Sequence, residues 1–309
     1  MAGVSTTTAS YVGGGLVVGA ALYTSCVLIL MVLGNYRIDG LNPWSFMLPA
    51  VAMALSSGIF EELIFRGVLF RIVEETVSWD AAETAIIICD MWTDMACRFA
   101  AKRVARMAPR MNEVVSLARD QGVAIIHAPS GGMSLYDDTP YRARMKQARP
   151  AKPPVPIQRW CYFNEKVEGA WPIVDDIKRG QSQISGCDDP EPLPPTPTDR
   201  HQHPAIEMMG YDGVSDDGQE IFNFLEQEGR RNVVVMGVHT NMCVLGRPFG
   251  IRQQKYLGKN VVLCRDLTDA LYDPRDKPYV SHARGLELVI EHIEKFWCPS
   301  ILGKCLTEV

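Results

Sequence analysis

Charge is missing from the first part of this chain: neither 11–34 nor 41–60 contains an Asp, Glu, Lys or Arg. Histidine is missing from the first 126 residues, and all six histidines lie at or after His127. The nine cysteines form no C-x-x-C pair and no regular framework. An odd count without a framework predicts reduced thiols, and hence a cytosolic setting for the part holding most of them. An excess of basic residues is absent too. The formal charge of −5 gives no electrostatic reason to expect nucleic acid. No internal repeat is evident. With 309 residues the chain has room for one large domain or two smaller ones.

The charge-free stretches set the first division. Tyr11–Gly34 is rich in Val, Leu, Ile, Ala and Gly, and about 20 apolar residues in a helix suffice to cross a hydrocarbon core. It lacks a basic leader region and is too long for a signal-peptide core, so it is expected to stay as a transmembrane helix. The second stretch, broken by Pro43 and Pro49, predicts another span ending at Glu61. The expected division is a membrane segment at 1–78 and a separate domain at 79–309, with that domain on the cytoplasmic side.

Glu61-Glu-Leu-Ile-Phe-Arg66 closes the second stretch. Two carboxylates within a turn of an arginine near bilayer depth call for partners or for a task such as activating water. The segment resembles the first Glu-Glu-x-x-x-Arg motif of the CAAX-protease and bacteriocin-processing membrane proteases, over about 15–75. That resemblance implies downstream helices carrying histidine motifs, and the sequence has none there. A truncated remnant or anchor is the expectation, with an intramembrane glutamic protease as the weaker alternative.

Beyond Trp79 the pattern is α/β. Ala85–Asp90 and Val123–His127 read as strands flanking helical stretches at Thr93–Met107 and from Pro109 to Asp120. Residues 128–200 are proline-dense and break the rhythm. Loops of this length serve as lids or linkers, and Trp160, Tyr162, Phe163 and Trp171 predict that part of it packs. A lid and an oligomer contact are both open readings, so a homo-oligomer is among the expected partners. The rhythm resumes with a helix at Gly218–Glu228, a strand at Val233–Gly237, a helix to about Leu257 kinked at Pro248, a strand at Val261–Cys264 and a closing helix at Leu286–Phe296.

Val233-Val-Val-Met-Gly-Val-His-Thr-Asn-Met-Cys243 is the most telling run. A strand, a polar turn and a thiol at a helix start describe a nucleophile elbow, where backbone N–H groups favour a thiolate and can hold an oxyanion. A buried structural cysteine is the plain alternative. Asp90 ends another apolar run. In an open α/β sheet such strand ends converge, which would bring a carboxylate to the thiol.

These residues, with Val123-Ala-Ile-Ile-His-Ala128 and Asn260-Val-Val-Leu-Cys-Arg-Asp266, resemble the isochorismatase-like cysteine hydrolases, a group that includes the nicotinamidases, over about 80–298. The resemblance implies a three-layer α/β sandwich with a mainly parallel sheet. It also implies a catalytic triad of Asp90, Cys243 and a cation, with oxyanion donors at Met242 and Cys243 and a cis peptide near Val238–His239. The family's lysine falls where this chain has Arg200, before His-Gln-His-Pro-Ala-Ile206; Lys166 and Lys178 are substitutes from the insertion. His239 and His127 are expected to line the pocket. An Asp-x-His element, Asp199-Arg-His201, with His203, does not fall where the nicotinamidases carry their metal ligands, and no metal or cofactor is expected. The function so implied is hydrolysis of an amide or another C–N bond of a small molecule through a Cys243 thioester. A non-catalytic binding or scaffold module is the alternative.

Overall fold

The computed structural model describes residues 79–174, 186–191 and 200–307, together with Ser25, Ile29 and 31–33. The chain divides into two units, Met1–Ile72 and Val73–Val309. The expected spans at 11–34 and 41–60 lie outside the described residues apart from Ser25, Ile29 and 31–33, of which Ser25, Ile29, Met31 and Val32 are helical. Among the described residues no helix is long and apolar enough to cross a membrane.

In the second unit six strands form one parallel sheet: β1 (Thr84–Cys89), β2 (Ala124–Ala128), β3 (Gly213–Val214), β4 (Asn232–Val238), β5 (Asn260–Asp269) and β6 (Ser300–Ile301). Their order is β3-β2-β1-β4-β5-β6. β1, β2 and β4 are buried along their whole length. That is why they read as continuous Val/Ile runs instead of alternating, as strands covered on both faces do. Helices cover the sheet: α1 (Arg98–Asp120), α2 (Pro140–Gln147), α3 (Glu165–Glu168), α4 (Gly218–Gln227), α5 (Cys243–Gly246), α6 (Ile251–Tyr256) and α7 (His282–Phe296). This is the three-layer α/β arrangement expected.

The order places the site. From β1 the chain crosses to β2 on one side, and from β4 it crosses to β5 on the other. The β1/β4 boundary is therefore the switch point, and beyond the carboxyl ends of two such strands an open α/β sheet carries its site. Cys89 and Gly237 are partners in register at that boundary. Gly237 has φ +105°, and a Cβ there would lie 2.1 Å from the Cys89 carbonyl oxygen. Only glycine lets the two strand ends close up at this point.

Three local expectations change. Residues 98–120 form one helix with Pro109 inside it, not two. Pro109 forfeits a hydrogen bond to the carbonyl four residues back, but Ala100, Val104, Ala108, Met111, Val115 and Ala118 make one buried stripe through it, and that burial holds the helix continuous. The helix after Cys243 is instead two short pieces, α5 and α6, parted by Arg247, Pro248, Phe249 and Gly250. The thiols are not all reduced: Cys97 and Cys187 form a disulfide across a sequence separation of 90. Folding lays 186–191 on the start of α1, where Arg98 grips Asp189 at 2.6 and 2.9 Å and Arg103 grips Asp188 at 2.7 and 3.1 Å.

The insertion packs, as its aromatic residues predict. Glu168 on α3 is fully buried and accepts from Arg252 (2.8 Å), His292 (3.1 Å) and Trp297 (2.7 Å). Burial opposes its ionisation, yet the bonds from His292, Arg252 and Trp297 outweigh that and hold its pKa at about 2. Trp171 stacks edge-on to His292 and Phe163 beside it.

Candidate active site

Asp90 follows β1 with a φ of +48° and no exposed surface. Its backbone N–H donates to the Ala128 carbonyl at 3.1 Å, fixing it between β1 and β2. One carboxylate oxygen accepts from the Ser130 N–H at 2.7 Å, and the other accepts from Arg247 Nε at 3.1 Å.

Cys243 reaches the same place from β4. The Val238–His239 peptide is cis. The turn that follows is held by side chains: Asn241 exchanges hydrogen bonds of 2.9 and 3.0 Å with the Leu271 backbone, and Thr240 Oγ1 meets Thr268 Oγ1 at 2.7 Å. Cys243 then opens the single turn of α5, with 4% of its surface exposed. Burial first, then the negative charge of Asp90, push its thiol up to about 12, against the pull of Arg247. The resting group is therefore a thiol. A helix of one turn does not make the thiolate expected of the elbow, because its dipole is too small to outweigh desolvation.

Arg247 is the cation at this carboxylate. Burial alone would lower its pKa, but Cys243, Asp90 and Cys89 raise it overall, so it stays charged. Sequence reasoning missed it, although the signal was present: Arg247 lies four residues after Cys243, the spacing that puts two side chains on one helix face. Arg200, expected in this role, is placed elsewhere, its guanidinium 4.1 Å from the centre of the Trp92 ring. Lys166 is exposed on α3, and Lys178 lies outside the described residues.

Two other expectations need correcting. His127 does not line a pocket. It has no exposed surface, and its ring nitrogens meet Gln202 Oε1 at 2.9 Å and Asp212 Oδ2 at 3.0 Å, which ties β2 to the segment leading into β3. The N–H of Met242, expected as an oxyanion donor, donates to the His239 carbonyl at 2.9 Å. His239 itself is buried beside the elbow with Nδ1 unpartnered, and burial pushes its pKa down to about 4. Next to it, Asp269 at the end of β5 accepts from His282 (2.9 Å) and Arg103 (2.8 Å). Burial works against its ionisation, but those partners lower its pKa overall.

Asp199 lies outside the described residues, His201 is exposed, and His203 Nδ1 accepts from the Ala205 N–H at 3.2 Å. Among the described residues, the groups near enough to share a metal are Cys97, Cys187 and Asp188, and the two sulfurs are already joined to each other.

A buried carboxylate, a thiol and an arginine thus meet beyond the ends of two adjacent parallel strands. The isochorismatase domain matches residues 84–277, a span that contains all three. The chain belongs to the isochorismatase family. That membership supports a hydrolase. A second, shorter match, to the type II CAAX prenyl endopeptidase Rce1-like family, covers residues 43–92 and runs into β1. No curated protein matches the chain. Among solved structures, it is similar to a cysteine hydrolase from Pseudomonas syringae pv. phaseolicola 1448A, with 16% identity and a TM-score of 0.44 over 74% of this chain and 93% of the other. It is similar also to an isochorismatase family protein from Desulfovibrio vulgaris subsp. vulgaris str. Hildenborough, with 17% identity and a TM-score of 0.42 over 72% of this chain and 96% of the other.

Proposed function

We propose that residues 79–309 hydrolyse an amide or another C–N bond of a small molecule through a thioester on Cys243. The observation that carries this reading is the shared placement of Cys243, Asp90 and Arg247, with Asp90 fully buried and Arg247 Nε 3.1 Å from its carboxylate. As the sulfur attacks the substrate carbonyl, Asp90 takes the thiol proton, a C–S bond forms and the carbonyl electrons move to oxygen. The raised thiol pKa supports proton loss and attack in one step. Backbone N–H donation at Cys243 steadies the oxyanion. Collapse breaks the C–N bond, and the leaving nitrogen takes the proton held by Asp90. Water then attacks the thioester, Asp90 accepts its proton, and the thiol leaves protonated while the acid departs.

Arg247 has two tasks in this scheme. It compensates the buried carboxylate, and it fixes the oxygen that receives the proton. The scaffold alternative takes the missing family lysine as a mark of lost activity; Arg247 restores the charge at that corner and not a lysine's proton transfer, which this scheme leaves to Asp90. For the first 78 residues we infer membrane association, supported by the two charge-free stretches and the match at 43–92.

The test is hydrolysis of a panel of small primary amides, read as ammonia release, by the full chain in detergent. Cys243→Ala and Asp90→Asn are each expected to abolish turnover while the fold is retained. The double variant should be little worse than either, because groups that act as a unit lose function together. Undiminished turnover in Cys243→Ala would remove the covalent route.

A further inference from the structure

Resting on the cysteine-hydrolase reading, we propose that the substrate carries a carboxylate and that Arg200 is the residue that binds it. Residues 200–203 lie antiparallel against 91–93, directly after Asp90. Trp92 and Gln202 form a bridge, Thr93 N–H donates to the His201 carbonyl at 2.9 Å, and His203 N–H donates to the Met91 carbonyl at 2.7 Å. This sets the Arg200 guanidinium over the Trp92 ring at 4.1 Å. The ring is itself fixed, since its Nε1 donates to the Ser130 carbonyl at 3.1 Å. The Ser130 N–H in turn holds Asp90 at 2.7 Å. Ring and catalytic carboxylate hang from one residue, so a half-exposed Arg200 is tied to the reaction centre through Trp92 and Ser130.

Main chain and side chain of Arg200 are both built in. A Cβ on Gly132 would lie 2.0 Å from the Arg200 carbonyl oxygen, and one on Gly131 would lie 3.7 Å from Nη2. Both glycines have positive φ; Gly132 leaves room for the Arg200 main chain and Gly131 for its guanidinium. Among the described residues no carboxylate pairs with it. The nearby Asp216 accepts from the Gly131 N–H at 3.2 Å and makes no ion pair with Arg200. Asp90 and Arg247 are already paired with each other, and Asp216 is spent on the Gly131 N–H, so the Arg200 guanidinium keeps its donors without a direct carboxylate partner among the described residues. A guanidinium stacked on an aromatic face keeps its edge N–H fork for a planar anion. Ser130 supplies an independent sign, because its Oγ is buried without a hydrogen-bond partner although its main chain is fully used. A buried hydroxyl left unpaired is costly until a ligand oxygen meets it.

The test uses charge-matched probes on the full chain in detergent. Cys243 is alkylated with iodoacetate and with iodoacetamide, and the two rates are followed by peptide mass spectrometry. Their ratio is normalised to that of a free thiol in the same buffer. A ratio above that of the free thiol, falling by about tenfold or more in Arg200→Gln and largely kept in Arg200→Lys, is the expected result, the loss of one charge-assisted contact. An unchanged ratio, or equal slowing of both reagents, overturns the proposal. Ammonia release from succinamate against succinamide reads the same preference in turnover, as a KM effect lost in Arg200→Gln. If Cys243 resists both reagents, a rise in melting temperature with succinamate in the parent chain and none in Arg200→Gln supports the site, and no rise in the parent chain overturns it. A ratio that moves with Arg200 while neither amide is hydrolysed would keep the anion site and sink the hydrolase reading; hydrolysis indifferent to charge would do the reverse.

Discussion

Replacing Arg247 by methionine tests the site more sharply than replacing the nucleophile. Methionine keeps much of the volume and removes the charge. Asp90 has no exposed surface and would keep the Ser130 N–H and the neutral Cys243 thiol, with no charged partner. Removing one member of a buried ion pair costs about 3–5 kcal/mol. The Arg247 side chain is 25% exposed, so water can partly replace it and the lower end applies. If about 3 kcal/mol of that is lost at the transition state, the rate falls by roughly 100-fold, at 1.36 kcal/mol per factor of ten. Arg247→Lys keeps the charge but not the fork geometry and should lose about tenfold. The assay pairs kcat/KM for amide hydrolysis with urea denaturation of the same preparation. Cys243 alkylation gives a third readout. Arg247 is the group that lowers the thiol pKa, so its removal slows alkylation at a given pH. An Arg247→Met variant within about twofold of the parent rate, alongside an Arg200→Met variant that loses kcat, would return the cation role to Arg200 and refute the geometry argued above.

Glu168 should set an acid limit. Its folded pKa of about 2 lies below the ordinary glutamate value, so the stability it confers is present above about pH 4.3 and lost as pH falls toward 2, a contribution of about 3 kcal/mol. The urea midpoint of the parent should drop between pH 5 and 3 more steeply than that of Glu168→Gln; parallel curves would show that the buried network adds nothing. At the alkaline end the buried thiols act in the opposite sense. Cys243 and Cys298 are raised to about 12, and Cys89 and Cys264 are raised as well. Unfolded thiols ionise near 8.5, so stability is full below about pH 8.5 and declines above it; a midpoint that rises with pH over that range contradicts the burial. Finally, residues 79–309 expressed alone should be soluble and folded with activity equal to the full chain, checked by size-exclusion chromatography and turnover, and aggregation of that piece beside a monodisperse full chain would move the domain boundary.

How much was legible in the sequence follows from what each signal depends on. β1 and β4 were visible because strands covered on both faces are written as unbroken apolar runs, and the residues that end them, Asp90 and Gly237, interrupt those runs abruptly. Cys243 was visible because the turn before it is polar and short. β3 was not, since two residues, Gly213 and Val214, carry no periodicity. The Cys97–Cys187 link and the Glu168 network join positions 84 or more residues apart and leave no local trace. Arg247 is the instructive miss. A lysine was sought where family order puts it, upstream of the elbow, whereas the cation that meets Asp90 comes from the turn after the thiol. Its four-residue offset from Cys243 was readable in the sequence.

The register of Cys89 against Gly237 has a consequence for how the enzyme can change. Proton acceptor and nucleophile leave the sheet from neighbouring strands, so their separation is set by the inter-strand repeat of about 4.8 Å and by the short turn from Val238 to Cys243 that Thr240 and Asn241 hold. Beyond Ser130, which holds Asp90, the stretch to 212 supplies Trp160 and Arg200 and neither carries nor positions the two reacting side chains. Chemistry and selectivity are thereby set by different parts of the chain: ligand preference can drift in the insertion while the two strand ends and the turn after β4 keep the distance over which the proton moves.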